Sequence, residues 1–228
     1  MLPRDTARRT ERFVGIRAGA VTLEGSLATP EEAAGVVLFA HGSGSSRHSP
    51  RNLFVAEALQ EQRLATLLFD LLTPAEEAID SATGHMRFDI ELLAGRLVAA
   101  TDWLRLQPAT DRLPIGYFGA STGAGAALAA AGERPESVGA VVSRGGRPDL
   151  AGDALPRVVA PTLLIVGGED LPVIEFNREA MARLRCECRL EIVPGATHLF
   201  TEPGALERVA RLAGGWFTHH LAGRPRPG

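Results

Sequence analysis

Short apolar runs recur along the chain, and a glycine, serine, aspartate or proline closely follows each of them. They occupy residues 35–40, 64–69, 115–118, 138–142, 162–166 and 189–193. Most are nearly continuous rather than alternating, which is typical of strands buried on both faces. We therefore predict a β-strand at each run.

Segments with apolar residues at helical spacing lie between the predicted strands. They cover residues 52–62, 88–106, 173–184 and 204–220, and an alanine-rich segment follows residue 121. Residues 13–28 alternate instead, which predicts an antiparallel edge hairpin. Residues 71–87 contain Pro74, Gly84 and an acidic patch, so an irregular connection is expected there. The alternation predicts an α/β fold with a doubly wound, mostly parallel sheet.

Length and composition are consistent with one globular domain. The 228 residues are 45% hydrophobic and 22% charged, and we expect a single domain over 1–228 with flexible ends at 1–11 and 222–228. The net charge of −3 and the scattered arginines argue against a nucleic-acid partner. No secretory signal or membrane-spanning stretch is apparent, so we expect a cytoplasmic monomer or homodimer.

A Gly-Ala-Ser-Thr-Gly motif at 119–123 follows the strand predicted at 115–118 and precedes an alanine-rich helix. This strand–turn–helix context is typical of a nucleophile elbow, in which a sharp turn exposes the serine hydroxyl and flanking glycines relieve crowding. The motif indicates Ser121 as a nucleophile. The alternative is a plain turn in a glycine-rich chain.

A nucleophilic serine needs a histidine base and an acid that orients it. Asp170 and His198 follow successive predicted strands and stand in the order expected of an α/β-hydrolase, so we assign them as acid and base. Asp70 and Glu169 are alternatives for the acid. The other histidines are His41, His48, His85, His219 and His220.

An oxyanion hole requires backbone N–H donors close to the nucleophile. The residue after the serine, Thr122, is expected to supply one donor, and the loop after the first buried strand the other. We assign that second donor to Ser43, with Gly44 as the alternative. His41 is expected to pack beneath this loop rather than to react.

Arg144 and Arg147 flank two glycines at a predicted strand end, where they could grip a substrate carboxylate. We favour the alternative that they form ion pairs with Asp149 or Asp153. Apolar and histidine side chains in the preceding connection are candidates for a pocket roof, namely Leu71, Leu72, His85 and Met86. Cys186 and Cys188 are expected to be reduced thiols, and we expect neither a metal site nor a cofactor.

Taken together, the motifs resemble those of an α/β-hydrolase of the dienelactone hydrolase-like group. The resemblance runs from about residue 13 to residue 221. It rests on His-Gly-Ser-Gly at 41–44, the elbow motif, Ser-Arg-Gly-Gly-Arg-Pro-Asp-Leu at 143–150, Gly-Gly-Glu-Asp at 167–170 and Pro-Gly-Ala-Thr-His-Leu-Phe at 194–200. It implies a Ser121, Asp170 and His198 triad, with an oxyanion hole at Ser43 and Thr122.

The chain departs from that group at the nucleophile. Dienelactone hydrolases proper use cysteine, whereas residue 121 is serine, so hydrolysis of ordinary esters is favoured. No long insertion follows the strand at 138–142 to form a large lid, which favours small or soluble acyl esters as substrates. A thioesterase or carbon–carbon bond hydrolase using the same triad, and a non-catalytic binding scaffold, are the alternatives.

Overall fold

The computed structural model describes residues 9–221, which form one eight-stranded sheet flanked by helices. The strands are β1 (Arg9–Ala18), β2 (Val21–Pro30), β3 (Gly35–Ala40), β4 (Leu64–Phe69), β5 (Ile115–Ala120), β6 (Val138–Arg144), β7 (Thr162–Gly167) and β8 (Cys188–Val193). The helices are α1 (Pro50–Gln60), α2 (Pro74–Thr83), α3 (Ile90–Arg105), α4 (Thr122–Glu133), α5 (Leu171–Arg183) and α6 (Ala205–Leu221). Two 3₁₀ segments, Met86–Phe88 and Pro148–Arg157, complete the fold.

The sheet order is β1-β2-β4-β3-β5-β6-β7-β8. Strands β3 to β8 are parallel to one another, whereas β1 and β2 form an antiparallel hairpin that joins the sheet through β4. Every side chain of β3, β4, β5 and β7 is buried, as the continuous apolar runs predict. The structure thus confirms the doubly wound sheet and its antiparallel edge.

Two large hydrophobic clusters and one small one lie between the sheet and its helices. Helices α1 and α6 contact each other and cover one face, where Phe39, Phe118 and Phe217 are fully buried. Helices α3 and α4 cover the other, where the buried Tyr117 hydroxyl lies 2.6 Å from Thr101 Oγ1. Within residues 9–221, none of the helices combines the length and apolar character needed to cross a membrane.

The connection predicted as irregular at 71–87 contains helix α2. Thr73 accepts a hydrogen bond from the Glu76 backbone, and the Glu76 side chain accepts one from the Thr73 backbone, forming a capping box. Pro74 opens the helix because the first helical residue needs no N–H donor. The prediction of an irregular segment was therefore wrong over 74–83.

The N-terminal hairpin is also longer than predicted. Its strands run from residue 9 to residue 30, so residues 9–11, which we expected to be flexible, belong to β1. They are held by pairing with 28–30 on β2. The remaining residues predicted to be flexible, 1–8 and 222–228, lie outside the described part of the chain.

Candidate active site

Ser121 occupies a sharp turn between β5 and α4 with strained backbone angles, φ 51° and ψ −124°. A non-glycine residue in this region costs about 1–3 kcal/mol, which the surrounding packing must offset. The flanking glycines explain how the turn fits. A Cβ on Gly119 would overlap the Ala124 backbone, and one on Gly123 would overlap the Ala40 carbonyl oxygen. Both positions therefore require glycine.

Asp170 and His198 meet at the carboxyl ends of β7 and β8. Asp170 Oδ2 lies 2.6 Å from His198 Nδ1, and the side chains are 14% and 40% exposed. This bond favours the tautomer that carries a proton on Nδ1 and leaves Nε2 free to accept one. Among the described residues the Ser121 hydroxyl makes no hydrogen bond.

Close backbone approaches hold the histidine loop against the strand ends. A Cβ on Gly145 would lie 3.0 Å from the His198 carbonyl oxygen and 3.6 Å from its Nδ1. The preceding residue, Arg144, accepts a hydrogen bond at its carbonyl from Ser121 N at 3.3 Å. The β6 end therefore contacts both the serine turn and the histidine loop, and it places the three predicted triad residues in one region.

The two predicted oxyanion residues are directly linked. Ser43 N donates to Thr122 Oγ1 at 2.9 Å. Thr122 is the first residue of α4, and a helix offers no internal acceptor to the N–H groups of its first turn. The Ser43 amide is therefore hydrogen-bonded to the side-chain hydroxyl of the residue that follows Ser121.

His41 packs beneath the loop after β3, as predicted. Its Nε2 accepts a hydrogen bond from Leu71 N at 3.0 Å, so its Nδ1 carries the proton and donates to the Gly42 carbonyl at 3.0 Å. Burial lowers the pKa of His41, with only partial opposition from the Gly42 carbonyl and nearby acids. His41 is therefore a neutral structural link between two loops.

A cavity of about 530 Å³ opens beside this site. Its walls come from the 41–46 loop, the start of α1, the residues after β4, and α2. Ser43, Thr122 and Leu72 line it, together with the hydroxyl-bearing Ser45 and Ser46. Leu72, for which we predicted a contact with substrate, is thus part of the cavity wall.

The structure does not place the other candidate substrate-binding residues, His85, Arg144 and Arg147, in the cavity wall. His85 precedes the 3₁₀ turn Met86–Phe88 and is not among the residues that line the cavity. Arg147 forms the predicted ion pair, donating to both Asp149 oxygens at 2.9 and 2.7 Å. For Arg144 the favoured ion pair with Asp149 or Asp153 was wrong, because Asp149 is taken by Arg147 and Asp153 pairs with Arg183.

Arg51 lines the cavity and is not among the residues singled out from the sequence. It lies in the first turn of α1, directly after Pro50. Proline favours the first position of a helix, so Pro50 was the available signal that the helix begins there and that residue 51 lies in its first turn.

The sheet topology and the strand-end site together define an α/β-hydrolase fold. The model of the dienelactone hydrolase family matches residues 23–214, and the chain belongs to that family. The crystal structure of a dienelactone hydrolase from Anabaena variabilis superposes with a TM-score of 0.92 and 64% sequence identity, covering 93% of this chain and 99% of that one. These findings support a hydrolase.

A more distant structure shares the fold alone. It is a dienelactone hydrolase-like promiscuous phosphotriesterase from metagenomic libraries, with a TM-score of 0.75, 21% identity, and coverage of 93% of this chain and 99% of that one. Two Mycobacterium tuberculosis proteins, from strains CDC 1551 and H37Rv, are 61% identical over 210 residues and carry the provisional name of a phosphoribosyl transferase. The match covers 92% of this chain and 46% of each relative, so the chain spans about half their length.

Proposed function

We propose that the protein is a serine hydrolase of the carboxylesterase type, acting on small or soluble acyl esters. The observation that carries this proposal is the 2.6 Å bond between Asp170 and His198 beside a serine held in a strained turn. A backbone strain of this kind persists only where surrounding contacts enforce it, and such strain clusters at active sites. The membership of a hydrolase family supports the same conclusion.

In the proposed mechanism, Ser121 Oγ attacks the ester carbonyl while His198 Nε2 takes its proton. Asp170 keeps the His198 ring oriented and stabilises the imidazolium that forms. His198 then gives the proton to the leaving alcohol, which leaves an acyl group on Ser121. Water, deprotonated by His198, then attacks that acyl group. The bond from Ser121 Oγ to the acyl carbon breaks, the carboxylic acid is released, and His198 returns the proton to Ser121 Oγ.

The negative oxygen of the tetrahedral intermediate would be stabilised by the N–H groups of Thr122 and Ser43. Thr122 is the first residue of α4, so the partial positive charge of the helix N-terminus strengthens its amide as a donor to the oxyanion. The Ser43 amide donates to Thr122 Oγ1, so this bond must be shared or released when the oxyanion forms. An oxyanion is the stronger acceptor, because hydrogen bonds to charged oxygens are about twice as strong as neutral ones.

Covalent labelling by a fluorophosphonate tests the nucleophile directly. We expect labelling of the wild type, and none in Ser121→Ala or His198→Ala variants that remain folded. Ser137→Ala, in the turn before β6, is the matched control and should label as the wild type does. A folded wild type that neither labels nor hydrolyses p-nitrophenyl esters would refute the proposal.

We further propose that the transferase activity in the name of the M. tuberculosis relatives resides outside the segment matched here. Less than half of each relative aligns with this chain, and the aligned part corresponds to a hydrolase family. Assaying this chain for phosphoribosyl transfer should give no turnover. Transfer activity that survives Ser121→Ala would contradict this assignment.

A further inference from the structure

The wall of the cavity formed by α1 carries positive charge with no acidic partner. Arg51 lines the cavity, and among residues 9–221 it makes no hydrogen bond and no ion pair. Its Nε is also buried without an acceptor. Burying a guanidinium N–H without an acceptor costs folding free energy, so the presence of Arg51 at this position needs an explanation.

A second arginine lies behind the first. Arg144 is only 6% exposed and reaches the start of α1, where its Nη2 donates to Asn52 Oδ1 at a long 3.5 Å. Its Nε is buried without a hydrogen-bond partner, and its guanidinium lies 5.9 Å from the Phe200 ring centroid. Arg144 forms no ion pair with any acid in the described part of the chain. Burial, and then the charge of Arg51, lower the pKa of Arg144 to about 10, so it remains a cation at neutral pH.

The helix adds to this charge. Arg51 occupies the first turn of α1, which contains no acidic residue, and the N-terminus of a helix is itself positive. Two cations at this end oppose the helix dipole and repel each other. On the opposite wall Arg87 neutralises Asp80, and Glu77 is exposed on α2. Glu77 would direct an anion away from α2 and toward α1.

We infer that the cavity binds an anionic group of the substrate against Arg51, with Arg144 supplying a second positive charge from behind. The inference rests on the proposed hydrolase function, since Ser43 and Thr122, the proposed oxyanion donors, line the same cavity. Two uncompensated cations match a dianion better than a monocarboxylate. The preferred substrate is therefore an ester bearing a phosphate-type group, which a guanidinium binds bidentately.

Anion binding is tested without hydrolysis in the Ser121→Ala protein. Thermal unfolding is followed in inorganic phosphate, and in acetate, at pH 8 and constant ionic strength. We expect a saturable rise in Tm with phosphate, a smaller rise with acetate, and no rise after Arg51→Gln is added. Arg178→Gln, which removes an exposed arginine on α5, is the charge-matched control and should keep the rise. No saturable effect of either anion, or an equal effect in the Arg51→Gln protein, overturns the inference.

Specificity is tested with three p-nitrophenyl esters of similar acyl length: the neutral butyrate, the monoanionic hemisuccinate and the dianionic phosphonopropionate. For the wild type we expect kcat/KM to be at least tenfold higher for the dianionic ester than for the butyrate. Arg51→Gln should abolish that preference by raising KM for the dianionic ester, whereas the control Arg178→Gln should keep the preference. Arg144→Met, which keeps an apolar contact with Phe200, should reduce the preference about threefold.

The outcomes separate the two proposals. If no ester is hydrolysed but phosphate still raises Tm through Arg51, the hydrolase proposal fails and the anion site stands. If all three esters are hydrolysed equally, the hydrolase stands and the anion site fails. An equal loss on all esters in Arg144→Met would assign that residue to holding Phe200 and the histidine loop, and would contradict its electrostatic role.

Discussion

Replacing Asp170 with asparagine tests the proposed triad with almost no change in shape. The carboxylate is 14% exposed and lies 2.6 Å from His198 Nδ1. An asparagine amide can donate to Nδ1, which favours the tautomer whose Nε2 is already protonated and cannot accept the serine proton. In a buried serine protease triad this change costs about 10⁴-fold.

His198 is 40% exposed, so water can partly replace the lost interaction and the penalty should be smaller. We expect kcat/KM for a p-nitrophenyl ester to fall about 10³-fold, equivalent to about 4 kcal/mol of transition-state stabilisation. Glu169→Gln is the matched control, because this neighbouring acid is exposed and was the alternative triad acid. A decrease in kcat/KM of less than about threefold in Asp170→Asn, or an equal decrease in both variants, would refute the assignment of Asp170 as the triad acid.

Three further substitutions test the elbow and the loop that faces it. In urea titrations, Gly123→Ala should lower the free energy of unfolding by about 3 kcal/mol or more, because its Cβ would overlap the Ala40 carbonyl. Gly215→Ala is the control. Its Cβ would lie in open space on α6, so this change should raise the free energy of unfolding by up to about 1 kcal/mol. The pKa of His41 is lowered in the native state, so below about pH 6.5 the unfolded state binds a proton that the native state does not. The free energy of unfolding should therefore fall on acidification by up to about 1.4 kcal/mol per pH unit. His41→Gln should flatten this slope, and an unchanged slope in the variant would contradict the assigned role of His41. Thr122→Val removes the acceptor of the Ser43 amide and should lower the free energy of unfolding by about 1–3 kcal/mol. Thr122→Ser keeps a hydroxyl acceptor and should therefore keep most of the wild-type stability.

The central strands could be predicted from the sequence because burial on both faces leaves a direct record. Nearly every residue of such a strand must be apolar, so β3 and β4 match their predicted bounds. Helix α2 was missed because Pro74 was interpreted as a breaker. The Thr-Pro-x-Glu pattern that begins at Thr73 is nevertheless a helix start signal, because threonine and glutamate at this spacing form a capping box.

The candidate site was predictable to the extent that it depends on chain order. Asp170 and His198 could be paired because both follow parallel strands that end at the same sheet edge. Chain order does not identify the ion-pair partners of charged side chains. Arg144 and Arg147 are three residues apart beside the same acids, and only the turn after β6 decides that Arg147 reaches Asp149 while Arg144 enters the core.

Strand β8 has one neighbour in the described sheet, β7, and most of its side chains are only half-buried or exposed. Edge elements of this kind open locally at lower free energy than the central strands do. The loop that carries His198 begins where β8 ends, so local opening would separate the histidine from Asp170 while the rest of the sheet stays folded. Enzyme turnover should therefore disappear in mild denaturant before circular dichroism changes, which makes activity a sensitive reporter of this edge.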